Sequence, residues 1–199
     1  DLGIDEIPAY RSLESENALK MRFRAGLYVD PDLGVEQVKA LLDERAADTG
    51  DLFQITSAKV FIDGVVEGST GYLNEPYEHL PESKGKLLWD LEQLNRVCTA
   101  LDKQGFQIHV HAIGDAATKV TLDALEFVQA RNGVRDSRHT ITHLQLVDPQ
   151  DIRRFHDLGV LAVPQPYWFK KDSYYYNIQV PYLGQKRADT EYPMASFFK

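Results

Sequence analysis

Two pairs of histidines stand on neighbouring β-rich runs of the chain. His109 and His111 are two residues apart in FQIHVHAIG, so both side chains point to one face of a predicted strand. His139 and His143 are four apart in RHTITHLQLV and are expected to share a face of the next strand. Since neighbouring parallel strands lie about 4.8 Å apart and a Zn–N bond is about 2.1 Å long, His111 and His143 can reach a single ion. For His109 and His139, which lie deeper in their strands, we favour a packing role, although an HxH pair can also bind a metal.

A lysine lies among apolar residues on an earlier predicted strand. Lys59 is in AKVFIDG, where an ammonium group has to be desolvated or paired. A buried lysine loses its proton readily, and the amine can take up carbon dioxide to form an anion that bridges two metal ions. An ion-paired lysine, with Asp63 on the same face, is the alternative, and spacing alone favours it. Asp63 and Gly64 could equally form a turn that ends the strand.

Short β-rich runs alternate with longer runs of helical period from residue 22 onward, which is typical of successive βα units around a parallel sheet. The predicted strands are 22–29, 53–64, 106–114, 138–147 and 160–166. The predicted helices are 34–47, 86–104 and 116–131, the last capped by Asp115, with a short helix after Pro149 and a final turn at YPMASFFK. A long loop rich in Gly, Pro, Ser and Glu follows the second strand, and such loops often carry function.

Five units leave two architectures open, because a closed (β/α)8 barrel needs eight. The sheet is either an open doubly wound one or part of a barrel. The sequence begins without Met and ends at ASFFK, from which we expect a piece of something longer, although a trimmed sequence would look the same. We predict one α/β domain over residues 1–199 with a mostly parallel sheet.

Composition narrows the possible partners. The chain has 199 residues, is 43% hydrophobic and carries a formal net charge of −8 without a basic stripe, which argues against nucleic acid and anionic membranes as partners. A small neutral or cationic ligand fits better. Cys98 is the single cysteine, so no intramolecular disulfide can form, and a cytoplasmic location is the simplest expectation. No apolar run approaches the roughly 18 residues of a membrane helix.

Four strings occur in the order KVFIDGVVEGSTGYLNEPY, HVHAIGDAATKVTLDALE, RHTITHLQLVDPQDIRRFHDLGV and VPQPYW. Together they resemble the YtcJ-like branch of the amidohydrolase superfamily, amidohydrolase family 3, from about residue 53 to the end and more weakly before it. The resemblance implies part of a TIM-type (β/α)8 barrel, with the five units here as strands three to seven. It also implies hydrolysis of an amide or related C–N bond in a small molecule, with one or two divalent metal ions, foremost zinc.

The same resemblance assigns roles to three residues. Lys59 matches the strand-four ligand, in carboxylated form, His111 matches the strand-five ligand, and His143 matches the strand-six ligand. We therefore predict that all three bind metal and are catalytic. The family also has an HxH pair on strand one and an Asp on strand eight. This sequence contains neither, because the AIGD that follows His109 and His111 is the context of strand five. This 199-residue chain is thus expected to be inactive by itself, and the complete parent to be the enzyme.

Other positions of the family pattern suggest contacts with substrate. Asp63, Gln165 and Arg138 are predicted to bind it. Arg187 also falls in a motif, with a surface charge as the alternative. Thr142 departs from the pattern, since related sequences often have an acidic residue there, which puts a supporting contact to the ligands in doubt.

Two rival interpretations remain. One is a non-catalytic open-sheet α/β binding or structural module whose histidines are structural. The other is a barrel phosphodiesterase, against which the lack of a glycine-rich phosphate cradle argues. If a barrel has been cut, residues 22–29 and 160–166 present unpaired strand edges, and we expect the chain to self-associate, most simply as a two-fold dimer.

Overall fold

A computed structural model describes residues 1–48 and 50–198. Five strands form one sheet in the order β1-β2-β3-β4-β5, and every neighbouring pair is parallel. The strands are β1 (Phe23–Tyr28), β2 (Phe53–Phe61), β3 (Gln107–Ala112), β4 (Thr140–His143) and β5 (Leu161–Pro164). Spatial order follows chain order, whereas a doubly wound sheet reverses its order at a switch point. The sheet is therefore that of consecutive barrel units, and the predicted fold class is confirmed.

The helices lie between and after the strands. They are α1 (Ile7–Ser15), α2 (Gln37–Ala46), α3 (Leu91–Lys103), α4 (Asp115–Asn132), α5 (Ile152–Asp157), α6 (Val180–Leu183) and α7 (Gln185–Ala188). Shorter 3-10 segments are Ile4–Glu6, Gly34–Glu36, Pro166–Trp168 and Met194–Phe198, and Tyr175–Gln179 is a π-helical turn. None of the described helices combines the length and the apolar character needed to cross a bilayer.

Several boundaries differ from the sequence prediction for local reasons. Helix α3 begins at Leu91, five residues later than predicted, because the Asp90 carboxylate accepts a hydrogen bond from Gln93 N at 2.9 Å and caps the helix. Gly114, and not Asp115, is the N-cap of α4. Helices α1, α6 and α7 were not predicted. Lys199, the end of the predicted final turn, lies outside the described residues.

The two faces of the sheet differ in what covers them. One face packs against the helices through side chains that are at most 1% exposed, such as Leu27, Val60 and Ile141. On the opposite face Tyr28, Leu161 and Val163 remain more than 40% exposed. A closed barrel has its interior on the face away from its helices. The exposed face of this sheet is therefore the counterpart of a barrel interior.

A second apolar cluster lies beyond the carboxyl ends of the strands. It joins the loop after β2 (residues 62–90) to the C-terminal segment (residues 165–198) through buried side chains that include Tyr77 and Leu183. Arg187 fastens the two together, because its guanidinium donates to the carbonyls of Glu75 at 2.9 Å and Pro76 at 2.7 Å. Arg187 therefore has a structural role, because its guanidinium links the two segments through hydrogen bonds.

Candidate functional site

Strands β2 and β3 place Lys59 and His111 on the exposed face of the sheet. The register pairs Lys59 with His109 and Phe61 with His111, so these four side chains share one face. The rings of Phe61 and His111 lie 4.9 Å apart between centroids. His111 is 7% exposed and Lys59 is 6% exposed, so both polar groups are shielded from solvent. Buried polar groups facing the interior side of a barrel, near the strand ends, are in the usual place for catalysis.

The side chain of His143 lies at the same site because the backbone is irregular at the end of β4. The register pairs His143 with Ala112, one position beyond His111, and a regular strand would therefore turn the two histidines to opposite faces. The backbone of His143 has a φ of 78° and that of Leu144 a φ of 52°, which end β4 and redirect the side chain. As a result, the rings of His111 and His143 lie 4.5 Å apart between centroids in an edge-to-face arrangement. Left-handed backbone at such bulky residues is strained and is often found at functional sites.

Hydrogen bonds fix the proton position on each of the two rings. His111 Nε2 lies 2.9 Å from the Gly64 carbonyl, which can only accept, so Nε2 carries the proton. His143 Nδ1 lies 2.8 Å from Gln165 Oε1, again an acceptor, so Nδ1 carries the proton. His111 Nδ1 and His143 Nε2 are left with lone pairs. A metal-binding histidine characteristically donates its other N–H to a carbonyl or carboxylate, as both rings do here.

Charges and burial favour the neutral forms that a metal requires. Burial lowers the pKa of His111 to about 4, and the positive charges of His143 and Lys59 act in the same direction. Burial likewise lowers the pKa of His143, against the hydrogen bond to Gln165. Burial lowers the pKa of Lys59 to about 8, and its Nζ lies 4.9 Å from the centroid of the Phe61 ring. An amine with a pKa near 8 is partly unprotonated at neutral pH, the form that carboxylation needs.

The donor set fits a divalent metal only in part. Two neutral imidazoles with free nitrogens suit zinc, and Lys59 is close enough for its charge to act on both. In residues 1–48 and 50–198, no group of three His, Cys, Asp or Glu side chains is arranged to hold an ion. Since zinc sites usually have four ligands, two histidines and one lysine would be this chain's contribution to a larger site.

Asp63 has a supporting position beneath this cluster. Its carboxylate is 1% exposed and accepts hydrogen bonds from the backbone N–H groups of Tyr72, Ile113 and Gly114 at 2.8–3.0 Å. Burial raises the pKa of Asp63 to about 7, and the three N–H donors oppose that rise. A Cβ at Gly114 would lie 1.8 Å from the Tyr72 carbonyl oxygen, so only glycine permits this approach. Asp63 of the IDG string and Gly114 of the AIGD string therefore hold the long loop against the end of β3.

The remaining predicted residues are divided between the two ends of the sheet. Gln165 is at the site, where it orients His143. Arg138 lies exposed before the first residue of β4 and forms an ion pair with Asp136, so the structure does not bring it to the site and its predicted contact with substrate lacks support. His139 lies at that same far end, buried against Asp102. His109 is on the site face, where its Nε2 is hydrogen-bonded to the Thr142 hydroxyl.

A cavity of about 160 Å³ adjoins the two histidines. Its lining includes Glu67 from the long loop, Gln145 after β4, and Trp168, Tyr174 and Gln179 from the C-terminal segment. None of these five was predicted as a site residue. Tyr174 belongs to a run of three tyrosines that is visible in the sequence, whereas Gln179 carries no motif and is placed by the π-helical turn.

The model of the amidohydrolase family matches residues 2–196. Protein LONG AFTER FAR-RED 3 of Arabidopsis thaliana is 32% identical over 179 residues, which make up 90% of this chain and 30% of that protein. The putative amidohydrolase YtcJ of Bacillus subtilis (strain 168) is 30% identical over 144 residues, or 72% of this chain and 26% of that protein.

Among solved structures, an uncharacterized metal-dependent hydrolase from Pyrococcus furiosus matches with a TM-score of 0.82 at 28% identity. The match covers 100% of this chain and 39% of that chain. The chain therefore spans less than half the length of these relatives.

Proposed function

This chain belongs to the amidohydrolase family, and from that premise we propose that it forms part of a metal-dependent hydrolase of non-peptide C–N bonds. The substrates would be small amides of the N-acyl or N-formyl type. The observation that carries the proposal is the pair His111 and His143, whose rings are in contact and which each keep one unprotonated nitrogen.

In this proposal each residue near the pair has a definite task. His111 and His143 would hold a divalent ion, foremost zinc, through Nδ1 and Nε2, while Gly64 and Gln165 keep the rings in the required tautomer. Lys59, as a carbamate, would be a further ligand and would permit a second ion. A bound ion supplies a lowered pKa of coordinated water and polarisation of the substrate carbonyl.

Transfer of a proton to the leaving amine needs an acid close to the two histidines. Glu67 lines the adjoining cavity, but no hydrogen bond or ion pair joins it to either ring in the described part of the chain. Asp63 is a nearby carboxylate, 3.6 Å from His111 Nε2, but three backbone N–H groups already occupy it. We propose that this acid belongs to another part of the complete protein. The 199-residue chain alone should then be inactive.

Hydrolysis assays of the complete protein and of this chain test the proposal. With added zinc or cobalt, the complete protein should hydrolyse at least one member of a panel of N-formyl and N-acyl amines. His111→Ala and His143→Ala should reduce this to background, and Arg138→Ala, at the far end of β4, should not. Failure of the metal-loaded complete protein on the whole panel, or turnover by the 199-residue chain, would contradict the proposal. Absence of any metal binding would favour the non-catalytic module instead.

We further propose that the isolated chain self-associates through β5. In the described residues no strand lies beyond β5, where Leu161 and Val163 are 45% and 42% exposed, whereas Leu2 already bridges Leu27 on the β1 edge. Sedimentation should show a dimer that Val163→Lys weakens, and a stable monomer at high concentration would refute this proposal.

We also propose a cytoplasmic location, based on the free, buried thiol of Cys98. Fractionation of cells would test it.

A further inference from the structure

Gln179 is a buried side chain whose amide nitrogen has no hydrogen-bond partner. The residue is 1% exposed and lines the same cavity as His111 and His143. Its Nε2 is the single buried side-chain nitrogen or oxygen without a hydrogen bond in the described part of the chain. A buried donor without an acceptor destabilises the folded chain, so its presence calls for an explanation.

The backbone around Gln179 is unusual as well. Gln179 ends the π-helical turn Tyr175–Gln179, and helix α6 begins at the next residue. Pro181 has no N–H to donate, and its ring would clash with the carbonyl four residues earlier in a regular α-helix. Turns of this kind are rare and occur frequently at functional sites. Here the turn coincides with the burial of Gln179 at the wall of the cavity.

We propose that Gln179 is a substrate-binding residue, whose Nε2 donates a hydrogen bond to a carbonyl oxygen of the bound molecule. This inference rests on the proposed hydrolase function, because it treats the cavity beside the histidines as the place where the substrate lies. The substrate would then provide the acceptor that Gln179 lacks in the folded chain.

The other groups around the cavity favour an uncharged substrate. Glu67 lines it, and among the described lining residues there is no lysine or arginine to balance a second negative charge. Glu191 lies behind the lining, where it accepts a hydrogen bond from Gln145. A substrate with a free carboxylate would be repelled by Glu67. Trp168 and Tyr174 offer apolar contact area, so the fitting class is an N-acyl amine with an aryl or alkyl group and no carboxylate.

Binding of benzamide and benzoate to the metal-free complete protein tests this inference without relying on turnover. Wild type should bind benzamide more tightly than benzoate. Gln179→Leu and Gln179→Met, which keep the approximate shape, should each weaken benzamide binding about tenfold, as expected for one lost hydrogen bond. Their melting temperature should not fall, because an unpartnered amide has been removed.

Gln129→Leu is the matched control. Gln129 donates to the Leu158 carbonyl at 2.6 Å and lies outside the cavity, so this variant should lose stability and keep its affinity for benzamide. Equal benzamide binding by wild type and both Gln179 variants, or tighter binding of benzoate than of benzamide, would overturn the inference.

Turnover measured with added metal separates this inference from the proposed function. If wild type hydrolyses N-acyl amines and Gln179→Leu has an unchanged KM, the inference fails and the function stands. If no substrate is hydrolysed but the affinity for benzamide still depends on Gln179, the function fails and the binding role stands.

Discussion

At the amino-terminal end of the sheet, His139 uses both ring nitrogens: Nδ1 accepts from Ile108 N at 3.0 Å, and Nε2 lies 3.1 Å from Asp102 Oδ1. At the carboxyl-terminal end, His111 and His143 each use one ring nitrogen in a hydrogen bond and keep the other free. His139 and His111 are buried and His143 is half-buried, and all three lie at strand ends.

In the Asp102 cluster, both ring nitrogens of His139 and both carboxylate oxygens of Asp102 have hydrogen-bond partners, so we call this the saturated end of the sheet. Besides His139, the Asp102 carboxylate accepts from Asn132 Nδ2 at 2.7 Å and from Arg135 Nη2 at 2.5 Å. A fully satisfied buried network stabilises a fold and has no remaining capacity for a ligand. The cluster at the other end, with two free imidazole nitrogens and the unpartnered Gln179, has that capacity. The contrast separates histidines that hold the structure from histidines that can bind.

The largest expected effect is on stability, at the saturated end. Asp102→Ala leaves the buried N–H of His139 without an acceptor, whereas Asn132 and Arg135 can turn to solvent, so the free energy of unfolding should fall by about 2–3 kcal/mol. Metal affinity should change by no more than about threefold, because the site is distant. Urea unfolding and zinc titration of the same variant measure both. Asp136→Ala, which breaks the exposed pair with Arg138, is the control and should unfold like wild type. A loss of metal affinity in Asp102→Ala that matched its loss of stability would show that the two ends are not independent.

A smaller effect is expected at the open end. Gln165→Leu removes the acceptor that fixes the His143 tautomer, so zinc affinity should fall about 10–100-fold, the usual effect of losing such a partner. Gln107→Leu is the counterpart at the amino-terminal end, where Gln107 donates to Arg138 O and Thr140 Oγ1, and it should leave zinc affinity unchanged. Competition with a chromophoric chelator gives both values. Equal affinities in the two variants would mean that Gln165 does not position His143.

The smallest effect is the dependence of stability on pH that comes from His139. Burial lowers its pKa in the folded chain below the ordinary value of 6.5, although the charge of Asp102 opposes this. Below that ordinary value the unfolded chain binds the extra proton first, so the contribution of His139 to stability is present at neutral pH and is lost as the pH falls. Unfolding from pH 7.5 to 5 should therefore show a steeper decline for wild type than for His139→Gln. Parallel curves would show that His139 does not contribute to the dependence of stability on pH.

The sequence predicted the sheet well because burial imposes a regular pattern on it. Alternating β-rich and helical runs gave all five strands and their order. The predicted N-cap of α4, Asp115, is one residue away from the observed N-cap, Gly114. Helices α6 and α7 were missed, since the run from Tyr174 to Arg187 mixes aromatic and polar residues without a helical period and contains Pro181.

The contact between His111 and His143 was predicted for a reason that is wrong in part. Regular spacing would have placed His139 and His143 on one face, but His139 precedes β4 and turns toward Asp102. The strained backbone at His143 produces the contact with His111, and no period of the sequence encodes it. Gln179 was out of reach for the same reason, because its place depends on a single irregular turn.

We propose that His111 and His143 bind a divalent metal through the two nitrogens that their hydrogen bonds leave free. The most direct test is NMR of the histidine ring nitrogens during zinc titration of this chain, which has six histidines to label and assign. Zinc should shift Nδ1 of His111 and Nε2 of His143 together and leave both nitrogens of His139 unchanged. Unshifted His111 and His143 resonances at saturating zinc, or a shift at His139 of equal size, would contradict the account.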